Sequence, residues 1–202
     1  MTKEELCHVA KELFFDFGFH SVTMDDLAKK AGVSKKTLYT HFRNKAELID
    51  ATVEIFITKI HDVSREILAD KSLNAIEQIF RIDDKIAVEM KASNPILLNQ
   101  LQKYYPLTYE KLRNSLIDDN CDSLYQHYRY GMEQGLFRSD IDSQFAVRLY
   151  ISIMFEINNN LFLGKEFDQE YLEDQYREYH LRAISTPKGM EVLEKLIEKR
   201  NK

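Results

Sequence analysis

Between Lys29 and Lys45 the chain carries Lys29, Lys30, Lys35, Lys36, Arg43 and Lys45 and no acidic residue, a local charge of +6. Thr37, Tyr39, Thr40 and His41 are interleaved with these cations, and each can donate or accept a hydrogen bond. Cations neutralise phosphates, while hydroxyl and imidazole groups on one helix face can read base edges or bond backbone oxygens. The pattern suits a nucleic-acid surface. The plainer reading is a solvated face, because lysine runs usually sit in water.

The elements that would hold this face are short helices. Thr2-x-x-Glu5 is a capping box, and Leu6, Val9, Ala10, Leu13, Phe14 and Phe17 follow at helical spacing, with Gly18 expected to close the helix as a left-handed cap. Thr23-Met24-Asp25-Asp26 starts a second helix that Gly32 stops, Val33 and the cap Ser34 open a third through Phe42, and Asn44-Lys45-Ala46-Glu47 begins a fourth. Gly32 supplies the permissive backbone of a tight turn, Ala28 is small where two helices cross, and Val33 and Leu38 anchor the third helix. This is the layout of a helix-turn-helix, with Lys35, Lys36, Thr37, Tyr39, Thr40 and His41 turned outward.

The run Phe17-Gly18-Phe19-His20-Ser21-Val22-Thr23-Met24-Asp25-Asp26-Leu27-Ala28, followed by Ala31-Gly32-Val33-Ser34-Lys35-Lys36-Thr37-Leu38-Tyr39-Thr40-His41-Phe42-Arg43-Asn44-Lys45-Ala46-Glu47-Leu48, resembles the DNA-binding head of TetR-like transcriptional regulators. The resemblance implies that Thr23 bonds a phosphate through its hydroxyl or amide, a role compatible with simple capping. It implies base-edge and nearby phosphate contacts for Lys35, Lys36, Thr37 and Thr40, backbone contacts for Tyr39 and His41, and a phosphate contact for Lys45. Leu38 and Phe42 would be core. The implied protein is a homodimer on a palindromic double-stranded DNA operator, released by a small-molecule effector, with repression as the family default.

Beyond residue 47 the apolar positions Thr52, Ile55, Phe56, Ile60, Val63 and Ile67 continue one stripe, so a long fourth helix is expected to run out of the head. Further helices are expected over about 73–91, from the Asn94-Pro95 cap through 96–105, and from Pro106 through Ile117, Cys121, Leu124, Tyr128 and Met132 to Gly135. Residues 145–157 hold ten apolar residues of thirteen, a helix that must be covered on both sides, by a second subunit or by a monomer's own core. An acidic, Tyr-rich stretch and a last helix capped by Thr186-Pro187 follow. The fold expected is all-α: a three-helix head over residues 1–47 joined to a larger effector-binding and dimerisation bundle over 48–202.

Six of the eleven tyrosines lie between Tyr104 and Tyr130, in the helices that bound a ligand cavity in the family resembled. Tyr104, Tyr105, Tyr125 and Tyr128 are therefore candidate ligand contacts, with ordinary core packing as the alternative. Asp83 falls on the stripe Ile76, Ile79, Phe80, Ile86, Ala87, Met90, where a charge must be paired or turned to a ligand; it is expected to face the cavity and bond a tyrosine or a cationic inducer, unless the stripe twists it to the surface. Cys121 and His127 lack a third ligand, so no metal or other cofactor is expected. No nucleophile elbow, phosphate loop or spaced carboxylate pair is present, which leaves an enzyme reading only Asp83 with a tyrosine. A helical effector or protein-interaction bundle that no longer reads DNA is the remaining alternative.

The net charge of −5 divides into +1 over residues 1–48 and −6 over the rest, so the acidity belongs to the body. Six Gly and three Pro in 202 residues disfavour all-β and disordered classes. No apolar run reaches membrane-spanning length and the amino terminus is not of signal-peptide type, so neither membrane nor export is expected. Two distant cysteines, Cys7 and Cys121, fit a reducing cytoplasm.

Overall fold

A computed structural model describes residues 1–91, 96–119, 121–158 and 167–200. The Asn94-Pro95 cap and the start of the acidic stretch after Leu161 lie outside these residues, as do the side chains of Met90 and Cys121. The described residues form eleven α-helices: α1 Lys3–Ser21, α2 Met24–Ala31, α3 Lys35–His41, α4 Lys45–Ala69, α5 Ala75–Lys91, α6 Ile96–Tyr104, α7 Pro106–Asn114, α8 Cys121–Glu133, α9 Ser143–Asn158, α10 Gln169–Ile184 and α11 Pro187–Arg200. None of them is long and apolar enough to cross a membrane.

Two compact units result, one from Met1–His61 with Ala87–Ser115, the other from Asp62–Ile86 with Leu116–Lys202. In the first, Thr2 and Glu5 cap each other at the start of α1, and Thr23 and Asp26 do the same for α2. Phe14 and Leu6 of α1, Leu27 of α2, Leu38 of α3, Leu48 of α4 and Leu101 of α6 are almost fully buried, so the head and α6 share one core. At Gly18, φ is 81° and ψ is 158°, which breaks the helical path of α1. A Cβ there would also lie 2.9 Å from the Gln100 amide, so α6 passes the kink closely.

In the second unit Ile76, Phe80, Phe137, Val147, Leu181 and Leu193 form the core. Gln78, with no exposed surface, donates from Nε2 to the carbonyls of Ile67 and Asp70 at 3.2 and 2.8 Å. It thereby gives a second bond to carbonyls at the end of α4 that each also accept from a backbone N–H. The helix expected to continue from Pro106 to Gly135 is instead interrupted by a π-helical turn over Ser115–Asp119. The interruption falls where the sequence runs Asp118-Asp119-Asn120, residue types of low helix propensity. Thr186 caps α11, its Oγ1 accepting from Gly189 N at 3.1 Å.

Candidate nucleic-acid interface

The turn between α2 and α3 is made by Gly32, whose φ of 66° and ψ of 26° place it in the left-handed region. Its N–H returns to the carbonyls of Ala28 and Lys29, and Val33 N bonds Ala28 O at 3.0 Å, which closes the end of α2. Ser34 then caps α3, its hydroxyl accepting from Thr37 N at 3.0 Å. Leu38 is 1% exposed and Phe42 0%, so one side of α3 is locked to the core. Lys35, Lys36, Tyr39 and Thr40 are exposed on the other side, while Thr37 and His41 are half-buried at its edges.

Several of these groups already have partners. Lys35 pairs with Asp25 of α2 at 2.5 Å, and that carboxylate raises the lysine's pKa. Lys30 lies 3.9 Å from Glu12, and Arg43 pairs with Glu47 at 3.2 Å. Lys29 and Lys36 take part in no ion pair among the described residues. Thr37 shares a 2.8 Å bond with Ser34, and Thr40 donates to Thr37 O at 2.6 Å. The hydroxyl and amide of Thr23 both point to Asp26, at 2.6 and 2.9 Å. An incoming phosphate would have to compete with Asp26 for them. Lys45, half-buried, donates to His20 O at 3.3 Å, and partial burial holds its ammonium below the ordinary lysine pKa. The +6 window is therefore tempered in space by Asp25, Glu12 and Glu47, of which only Glu47 neighbours it in sequence.

Residues 6–52 match the family of bacterial regulatory proteins described as the tetR family. Over this head the chain is similar to the TetR-like transcriptional regulators. An uncharacterized HTH-type regulator of Bacillus subtilis (strain 168) is 39% identical over 85 residues, 42% of this chain and 45% of that protein. The chain thus spans less than half of that relative's length. An HTH-type transcriptional regulator of Staphylococcus aureus (strain USA300) is 27% identical over 181 residues, covering 83% of this chain and 94% of its own. The crystal structure of a transcriptional regulator from Cytophaga hutchinsonii shares the fold, with a TM-score of 0.74 at 17% identity over 91% of this chain and 98% of that one.

The other candidate residues of this TetR-like chain fall into both units. Tyr104, exposed, stacks at a tilt on His20 at 5.3 Å, and Tyr105 meets the Phe19 ring edge-on at 6.3 Å. Tyr125 and Tyr128 belong to the second unit. Tyr128 is buried and donates to Arg138 O at 3.2 Å, while Tyr125 packs against the core. Asp83 accepts hydrogen bonds from Tyr150 and from Arg177, the latter at 2.7 Å. Burial pushes its carboxyl up while the guanidinium beside it pulls the other way.

Arg177 was not marked by the sequence reading, although the signal was there. It stands at i, i+4 and i+7 with the buried Leu181 and Ile184, the mirror of Asp83 on its own stripe. His127, which is buried, bonds the Ala75 carbonyl at 3.0 Å and is thereby fixed as an Nε2–H donor. Among the described residues no group of three His, Cys, Asp or Glu side chains is placed to hold a metal ion.

Proposed function

We propose that this protein is a repressor whose residues 1–47 read a palindromic double-stranded DNA operator. A homodimer would present two copies of α3 to successive major grooves, about 34 Å or a multiple of that apart. The observation that carries the reading is the split of α3 into a buried side, Leu38 with Phe42 beyond it, and an exposed side bearing Lys36, Tyr39 and Thr40. Lys36 is in no ion pair among the described residues and suits a base edge or phosphate, and Lys35 can exchange Asp25 for phosphate at little cost because both are exposed.

Dimer formation through α9 and α10 is supported by apolar surface that the single chain leaves in water. Phe145 is 64% exposed, Leu149 40%, Tyr171 50% and Tyr179 72%. A small-molecule effector that favours a dimer with altered head spacing would release the DNA by population shift. Asp83 is less suited to a cationic effector than an unpaired carboxylate would be, since Arg177 already neutralises it. The two cysteines fit action in a reducing cytoplasm.

Selecting fragments bound by the full chain from a random DNA pool tests the reading. Palindromic half-sites with spacing near one helical turn are the expected outcome. Enrichment no greater than that of a variant carrying Lys36→Ala and Tyr39→Ala would overturn it.

A further inference from the structure

Within the first unit the end of α6 lies against the end of α1, beside the groups expected to hold phosphate. Tyr104 of α6 is 46% exposed, and its ring meets that of His20 at 5.3 Å with an interplanar angle of 41°. Lys103, also exposed, holds its ammonium 5.1 Å from the centroid of the Tyr104 ring. One peptide fixes the arrangement. His20 N donates to Gln100 Oε1 of α6 at 3.0 Å, and Lys45 Nζ of α4 donates to His20 O at 3.3 Å. Lys45, His20, Tyr104 and Lys103 thus form a chain of contacts, and the Thr23 cap of α2 follows His20 along the same stretch of backbone.

Lys103 makes no ion pair among the described residues. A lysine in the last turn of a helix ordinarily answers the carbonyls there. This one lies over a ring instead, and the Leu101 carbonyl is taken by Tyr105 N at 2.8 Å. A ring face beneath an ammonium limits where the charge can go and leaves its N–H groups free to donate. Asp26, whose charge acts on Lys45, is bonded to Thr23 and forms no pair with Lys103. The partner that fits such a surface carries evenly spaced negative charge. Each strand of a DNA duplex has one phosphate per ~3.4 Å of axis, so a strand that meets Thr23 and Lys45 passes further phosphates across the adjoining side chains.

We propose that α6 extends the DNA surface beyond residues 1–47: Lys103, seated on Tyr104 and through it on His20, binds a backbone phosphate adjoining the one that Thr23 and Lys45 are expected to hold. The proposal rests on the DNA-reading function proposed above and adds a contact from outside the head. A phosphate contact carries no base information, so this one raises affinity and fixes orientation without changing the sequence that is read. Tyr104 acts as a positioning residue, since it places the Lys103 charge against the head. Gln100 holds α6 at the height where that charge can reach the strand.

The test titrates the full chain against a selected operator fragment by fluorescence anisotropy between about 50 and 200 mM salt. Lys103→Gln is expected to release about one counterion fewer, so over that range its affinity falls about threefold less than that of the parent. At the low-salt end it should bind about threefold more weakly, and by the same factor on operators altered at one base pair. Lys195→Gln makes the same charge change on an exposed side chain of α11 and should leave the salt slope alone. Tyr104→Ala should reproduce part of the loss with the charge intact, Tyr104→Phe should not, and Tyr104→Ala added to Lys103→Gln should weaken binding no further. A Lys103→Gln protein with the parent's slope and affinity, or a Lys195→Gln protein that loses as much, overturns the contact. Fully additive losses at the two positions overturn the seating on Tyr104. A parent chain that selects no DNA fragment overturns the DNA-reading function and this contact with it, whereas an operator bound with an unmoved slope overturns the contact alone.

Discussion

Arg177 Nε lies 2.7 Å from Asp83 Oδ2, and the two side chains, 94 residues apart, keep only 4% and 10% of their surface exposed. Asp83 also accepts from Tyr150, and the guanidinium stands 5.0 Å from the Phe80 ring centroid. Removing one partner strands the other charge. Arg177→Met is expected to cost about 3–5 kcal/mol, whereas Asp83→Leu combined with Arg177→Met should recover most of that loss. Urea denaturation of the three proteins at pH 7 measures both effects, and a single variant within about 1 kcal/mol of the parent would contradict the account.

Two buried histidines should make the second unit acid-sensitive. Burial lowers His127 and His180 to about 4, below the unfolded value near 6.5, so the native state holds neutral rings where the unfolded chain takes up protons. Their contribution is complete above about pH 6.5 and is lost as pH falls toward 4, by roughly 3 kcal/mol each. Asp83 and Glu173, raised by burial, act with the opposite sign at the acid end. The clean observable is therefore a difference. His127→Gln, which keeps a donor for the Ala75 carbonyl, should flatten the slope of stability between pH 6.5 and 4.5 by about 1.4 kcal/mol per pH unit relative to the parent.

On α3, Lys36 and Tyr39 should separate in the way they fail. Lys36→Ala is expected to weaken binding to a selected operator by about 1–3 kcal/mol and to relax sequence preference, as loss of a base-edge contact does. Tyr39→Ala should weaken all sequences alike. Asp25→Asn frees Lys35 from its 2.5 Å pair and should strengthen binding and steepen its salt dependence by about one ion. Titrations at several salt concentrations distinguish the three patterns.

The head was legible because its signals are local. Thr2 with Glu5, Thr23 with Asp26, and Gly32 followed by Ser34 act within three residues of one another, and each cap or turn stands where the spacing put it. The break at residues 115–119 was less legible, since the apolar period runs straight through it and only the Asp118-Asp119-Asn120 composition marks it. Pairings between helices were legible in kind but not in partner: a charge on an apolar stripe, such as Asp83, calls for a tyrosine or a cation without naming Tyr150 or Arg177. Asp83 with Arg177, Gln100 with His20, and Lys35 with Asp25 depend on which helices meet, and periodicity along one helix does not record its neighbours.

Gly32 and Gly18 should respond differently to a methyl group. At Gly32 a Cβ would meet nothing within 4 Å, so Gly32→Ala bears only the strain of its left-handed backbone, about 1–2 kcal/mol. Gly32→Asn should recover part of that, because asparagine tolerates this region. At Gly18 the φ of 81° is joined by a 2.9 Å approach to Gln100, so Gly18→Ala should cost more and also disturb the Gln100 bond to His20. Thermal unfolding ranks the three variants. A smaller loss at Gly18 than at Gly32 would show that Gln100 moves aside freely.

The exposed apolar face of α9 should decide the assembly state. Phe145 and Leu149 stand at i and i+4 and are 64% and 40% exposed, while Ala146 and Val147 are buried. A carboxylate at Phe145 costs the isolated chain little, because that side chain is 64% exposed and packs on little. In a dimer closed through this face the same carboxylate would be buried against its symmetry copy without a partner, which is strongly unfavourable. Phe145→Glu should therefore leave helicity and unfolding of the single chain nearly unchanged while shifting the protein from dimer to monomer in light scattering. Operator affinity should fall with it, since two half-sites are then bound independently and the gain from linking them disappears. A variant that stays dimeric at micromolar concentration would move the subunit contact off the Phe145 face of α9.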